Sequence, residues 1–245
     1  MATLDLSVRN LHKVPTIPNN VTDLDLSHNS ITNVSSTDFP SKLKVLNLNH
    51  NEIKELNKCS FPSNLEILYM NNNKISEITQ NRFPSSIKEL HLYGNRITKL
   101  VHNCFPRGLE LLDLGNNGIT NVNEKYFPQN LQRLFLDRNR LKKLEPNSFN
   151  INLQRLILNS NAISEIMPNC FPSKLKILNL YDNNITIIGK DYFPNSLEKL
   201  ILSYNPLKIL DLGCLSWDLR TLVFTDISLS RICTVNFNVE KLNKN

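Results

Sequence analysis

Five histidines and five cysteines are the side chains of this 245-residue sequence best suited to metal or nucleophile chemistry. His28 and His50 stand 22 residues apart (50−28). A zinc site needs three or four ligands, and Asp23 or Asp25 could join these two only in awkward geometry. The histidine pair therefore reads as a solvated edge. His91 has no serine or cysteine nucleophile in a recognisable setting. No phosphate-binding glycine loop, dinucleotide fingerprint or H-E-x-x-H segment is present. The expectation is a non-catalytic chain with no cofactor, no metal and no small-molecule substrate.

Both histidine columns belong to a repeat. Asn29, Asn51, Asn73, Asn95, Asn117, Asn139, Asn161, Asn183 and Asn205 recur every 22 residues (51−29, 73−51 and so on). Leu24, Leu46, Leu68, Leu90, Leu112, Leu134, Leu156, Leu178 and Leu200 run five residues ahead of them. The unit reads L-x-x-L-x-L-x-x-N-x-I-x-x-I-x-x-x-x-F-P, as in the stretch from Phe83-Pro84 to Phe105-Pro106. One copy departs, with Asn150 after Phe149.

Leu90-x-Leu92 alternates as a short strand with its leucines inward, and neighbouring copies supply strands at the same position. Too few residues separate Ile78 from Phe83 for a full α-helix, so the opposite side should hold extended or 3₁₀ backbone. Pro84 pushes Phe83 into an extended conformation. Apolar burial within one unit does not offset the entropy of ordering it, so stability must come from stacking. The asparagine amide donates twice and accepts twice, and so can satisfy backbone groups of its own turn and of the next. A continuous hydrogen-bonded asparagine ladder is expected.

Over about residues 4 to 237 the sequence resembles the leucine-rich repeat superfamily. Its F-P-x-x-L closure also resembles the L-P-x-x-L units of cytosolic bacterial effectors and the repeats of giant viruses and amoebae. The resemblance implies a curved α/β-class horseshoe, mostly β, with a parallel sheet on the concave face. It implies a protein-binding module that recognises a protein partner through that face. The expected division is 1–20 as an atypical capping repeat, 21–218 as nine regular repeats, and 219–245 as a degenerate repeat and cap. Trp217, Phe224 and Phe237 are candidates for that cap.

Candidate partner-binding residues fall where the strand points to the concave side: Tyr69, His91, Tyr93, Arg133, Phe135, Arg138, Arg155, Ile157, Tyr181 and Tyr204. Tyr, Phe and Arg are the types enriched at binding hot spots. Asp5, Asp23 and Asp25 make the N-terminal end acidic.

The net charge of +6 admits an anionic partner without naming one. Lys44, Lys88, Lys176 and Arg220 look like a solvated flank and not a phosphate-tracking groove, so nucleic acid is not the expected ligand. No window is apolar enough to span a membrane, and Met1 to Asp5 does not open a secretory signal. Buried free thiols are the default for Cys59, Cys104 and Cys170, while Cys214 and Cys233 are near enough for a cap disulfide. A reducing, cytoplasmic setting follows; the alternative is a receptor or adhesion ectodomain whose signal was removed. The sequons at Asn20, Asn33 and Asn184 matter only in that case. A third reading is the recognition part of a ubiquitin-ligase-type effector.

Overall fold

The computed structural model describes residues 2–224 and 231–233. The chain divides into two compact units: Met1–Gly118 with Lys125–Leu131, and Ile119–Glu124 with Gln132–Asn245.

In the first unit six short strands run parallel: Ala2–Asp5, Val21–Asp25, Val45–Asn47, Ile67–Tyr69, Glu89–His91 and Leu111–Asp113. Their register sets leucine beside leucine, Leu4 with Leu24, then Leu46, Leu68, Leu90 and Leu112. The second unit repeats the arrangement with Arg133–Phe135, Arg155–Ile157, Ile177–Asn179, Lys199–Ile201 and Thr221–Val223. Each unit is a stack of parallel-strand coils, and no α-helix occurs among the described residues.

The core follows from the repeat. In one coil Ile87, Leu90, Leu92 and Ile97 are fully buried, and Leu100 and Phe105 are 6% exposed. Phenylalanines of successive coils stack, Phe61 with Phe83 at 6.2 Å and Phe171 with Phe193 at 5.8 Å. After each Phe-Pro the proline carbonyl accepts from the N–H three residues on, as from Leu43 to Pro40 at 3.0 Å. Where Asn150 replaces proline the same turn persists, with Leu153 N–H donating to Asn150 at 3.4 Å.

Away from the main strands the backbone takes one of two forms, and one position separates them. Asn81, Asn103, Asn147, Asn169 and Asp191 are left-handed, with φ between 57° and 63°. Asn and Asp tolerate that region through local hydrogen bonds of their short side chains. The equivalent residues Thr37, Cys59, Lys125 and Gly213 fall in or beside 3₁₀ helices: Ser36–Asp38, Leu56–Lys58, Glu124–Tyr126 and Leu212–Cys214. Short secondary strands also form here, such as Lys143–Leu144 beside Glu165–Ile166 and Ile187–Ile188 beside Ile209–Asp211.

The asparagine column lies under the strand ends. In the first unit Asn73 Nδ2 donates to Leu48 O at 2.9 Å and to Met70 O at 3.2 Å, while its Oδ1 accepts from Ile53 N–H at 3.0 Å. Asn51 does the same one coil before, and Asn95 and Asn117 one and two coils after. In the second unit Asn161, Asn183 and Asn205 repeat these bonds. Arg9 stands where the first coil lacks an asparagine, and Asn29 Oδ1 accepts from both Arg9 N–H and Leu11 N–H.

At the C-terminal end Trp217 is 88% exposed, so it does not plug the core as a cap residue would. Cys214 is buried and free. Phe237, Ile227 and the Cys233 side chain lie outside the described residues; Cys214, being free, does not form the cap disulfide with Cys233 that the sequence allows.

Candidate binding face

The residue between the two leucines of each strand faces away from the core, and in several coils it has a backbone task. Asp5 Oδ1 accepts from Ser7 N–H at 2.8 Å, and Asp25 from Ser27 at 2.7 Å. Asn47, Asp113 and Asn179 accept in the same way from Asn49, Gly115 and Tyr181. The Ser7 amide holds the Asp5 carboxyl below the usual carboxylate range. The acidic end expected of Asp5, Asp23 and Asp25 is thus largely a set of local caps: Asp25 Oδ2 also accepts from Asn47, and Asp23 from Thr22.

Two coils of the first unit are built differently. Tyr69 and His91 occupy this position, and neither receives the bond. Asn49 Oδ1 of the preceding coil accepts from Asn71 N–H at 2.7 Å, and Asn71 Oδ1 from Tyr93 N–H at 2.8 Å. The backbone demand is met from the neighbouring coil, which releases two face positions for rings. Those rings stack at 4.6 Å with 25° between planes, and His91 Nε2 lies 3.8 Å from Glu89 Oε2. Tyr93 stands half-buried in the next column. The three residues selected from the sequence therefore gather in the first unit. Asn49 and Asn71, which make the exchange possible, were not selected, because the bond links residues one coil apart through main-chain atoms.

In the second unit Arg133 pairs in register with Arg155, and Phe135 with Ile157. The Arg155 guanidinium lies over the Phe135 ring, 5.7 Å from its centroid. Both arginines are exposed and Phe135 is half-buried, but Ile157 is only 8% exposed and offers little contact area. Tyr181 and Tyr204 meet at 5.0 Å and are 37% and 53% exposed. Burial raises the Asp137 carboxyl, against the pull of its own backbone and of Arg138.

Arg138 and Tyr204 are not on strands. They belong to the column just before the asparagine, where the chain turns left-handed in the described coils: His28, His50, Asn72, Asn116, Ser160 and Asp182 share φ of 49° to 55° with them at 53° and 57°. Gly94, at φ 68°, has the same role. A bulky residue such as tyrosine is costly there, and a strained residue points toward function. The sequence signal was visible as the Asn, Gly, Ser and Asp in this column. His28 and His50 stack at 4.2 Å in it, and His50 Nε2 lies 3.1 Å from Asn72 Nδ2. Desolvation first, then the neighbouring His28, lowers the His50 pKa. Among the described residues no three His, Cys, Asp or Glu side chains converge as a metal site requires.

The flank beside the strands has another electrostatic order. Lys44, Glu66, Lys88 and Glu110 alternate in sign, as do Lys176, Glu198 and Arg220. Lys44 bonds Glu66 at 2.9 Å and Lys176 bonds Glu198 at 3.1 Å; these hydrogen bonds hold both carboxyls low.

Comparison with known proteins agrees with this architecture. The leucine rich repeat profile matches residues 19–75, 107–150, 129–173 and 151–207, and the FNIP repeat profile matches 73–117. No curated protein matches the chain. Among solved structures it is similar to YopM from Yersinia enterocolitica, at 27% identity and TM-score 0.74, over 96% of this chain and 48% of that one. It is also similar to TLR13 in a complex with ssRNA13, at 29% identity and TM-score 0.77, over 90% of this chain and 35% of that one. The third similarity is to the octameric complex of Latrophilin 3, Unc5D and the FLRT2 leucine-rich repeat, at 25% identity and TM-score 0.70, over 91% and 80%. The chain thus spans about half the length of YopM and a third of TLR13.

Proposed function

This chain belongs to the leucine-rich repeat family, and we propose that it is a non-catalytic module that binds a protein partner through the concave, strand-lined face. The observation that carries the reading is the displaced backbone bond in the Tyr69 and His91 coils. There the fold spends two asparagines of the preceding coils to keep large rings on the face. Large rigid rings are what protein interfaces use as anchors. The asparagine column, the alternating flank and the Asx caps account for the other polar residues as scaffold.

The FLRT2 repeat is found assembled with proteins, and TLR13 with RNA. A protein partner is preferred here because the cations of the flank are paired with carboxylates. A cytoplasmic setting is the companion proposal, supported by the free, buried thiols of Cys59, Cys104, Cys170 and Cys214.

The test is partner capture from an extract of the native host, read by mass spectrometry. Tyr69→Ala with His91→Ala, or Arg133→Glu with Phe135→Ala, should abolish capture at an unchanged thermal midpoint. Ile187→Thr, an exposed change away from the face, should leave it intact. Capture that survives both double variants overturns the assignment of the face.

A further inference from the structure

The strands of the two units carry opposite charge. Those of the first unit hold Asp5, Asp23, Asp25, Glu89 and Asp113, with no lysine or arginine. The main strands of the second hold Arg133, Arg155 and Lys199, with no carboxylate. On the flank the same chain alternates signs from coil to coil and closes ion pairs. On the second unit's strands it sets Arg133 directly beside Arg155. Like charges directly opposite on a sheet are destabilising. Among the described residues Arg155 and Lys199 have no carboxylate partner. The Arg155 head is instead laid over the Phe135 ring. The other outward strand positions are Phe135, Ile157, Ile177, Asn179, Ile201, Thr221 and Val223, five of the seven apolar.

We infer that the strand face of the second unit takes an extended acidic protein segment with interspersed apolar side chains. Arg155 and Lys199 meet its carboxylates, and Phe135, with the exposed edge of Tyr181, meets its apolar residues. This rests on the proposed protein-binding role and adds the chemistry of the partner. The charge complement is the ground for choosing an acidic segment: a guanidinium already oriented by a ring loses little freedom on engaging a carboxylate. The mainly apolar positions between and beyond the cations favour a peptide over a phosphate backbone, which would call for further cations at these sites.

The experiment uses the full chain and four labelled probes read by fluorescence anisotropy: a 12-residue peptide alternating Glu with Leu and Phe, its Gln counterpart, its Lys counterpart, and a 12-nucleotide oligouridine. Binding of the Glu peptide alone, weakened about tenfold by Arg155→Glu and by Lys199→Glu, supports the inference. Arg155→Glu removes the like-charge neighbour of Arg133 together with the contact on Phe135, so its thermal midpoint is read alongside; Lys199→Glu stands on a different strand and is the second readout should that midpoint fall. Equal binding of the Gln peptide, binding of oligouridine in preference to the Glu peptide, or indifference to both substitutions overturns it. The two readings fail separately. If host partner capture is lost in the Tyr69 and His91 double variant but untouched by Arg155→Glu and Lys199→Glu, the face binds protein and the acidic segment is wrong. If neither set affects capture, the face itself is wrong.

Discussion

Replacing Asn73 by alanine isolates what the asparagine column contributes. Asn73 is 6% exposed. Its loss does not orphan every group it touches. Leu48 O keeps a second donor in Asn51 Nδ2 at 3.2 Å, and Met70 O keeps Asn95 Nδ2 at 3.0 Å. Asn71 O still accepts from His50 N–H at 2.8 Å. Only the Ile53 N–H, whose partner was Asn73 Oδ1, is left buried without an acceptor. That one orphan costs about 1–3 kcal/mol. Thinning the bonds to Leu48 and Met70 adds roughly 0.5 kcal/mol each. The expected loss is about 2–4 kcal/mol, or roughly 4–16 °C in thermal midpoint for a chain of this size. Thermal unfolding by circular dichroism reads the total, and amide exchange at Ile53 reads the cause. Asn64→Ala, which removes only an exposed bond to Ser41 O, should stay within about 0.5 kcal/mol of wild type. A midpoint for Asn73→Ala within about 1 °C of wild type, with Ile53 still protected, would refute the accounting.

Other consequences are open to measurement. Gly94→Ala places a Cβ 2.3 Å from Asn72 Oδ1 at φ 68°, so it should cost about 1–2 kcal/mol by chemical denaturation. His50 favours its neutral form in the fold; its contribution is present above the unfolded pKa of about 6.5 and is lost as pH falls through the lower folded value. Titration of His50 by NMR should fall below that of a histidine peptide, and His50→Asn, which suits φ 53°, should flatten the acid limb of stability. Burial pushes Cys104 to about 11 and Cys170 to about 12. These thiols should resist a thiol reagent at neutral pH until denaturant is added; prompt labelling of the native chain contradicts their burial. A double-mutant cycle on the exposed Lys44–Glu66 pair should return under about 1 kcal/mol and shrink in high salt.

How much was legible depends on the scale of the signal. The 22-residue period displays the strand, the inward leucines and the Phe-Pro closure, because each imposes a residue type in nearly every coil. Tyr69, His91 and Tyr93 were visible as face residues, since strand alternation alone puts them there. The left-handed column was harder. Asn72, Gly94, Asn116 and Asp182 mark it, but His50, Arg138 and Tyr204 share its backbone without sharing its residue type. The exchange of backbone bonds between Asn49, Asn71 and the ring-bearing coils was not legible, because it links residues one coil apart through main-chain atoms. The choice between a left-handed turn and a 3₁₀ helix, by contrast, rests on a single site: Asn81 and Asn103 take one path, Thr37 and Lys125 the other.

The central claim is that the strand face binds and the rest is scaffold. Hydroxyl-radical footprinting of the chain with its captured partner tests it most directly, with tyrosine oxidation as the readout. Protection at Tyr69, Tyr93, Tyr181 and Tyr204, with Tyr126 and Tyr192 oxidised as in the free chain, is the predicted result. Protection of Tyr126 and Tyr192 while the face tyrosines stay reactive would contradict it.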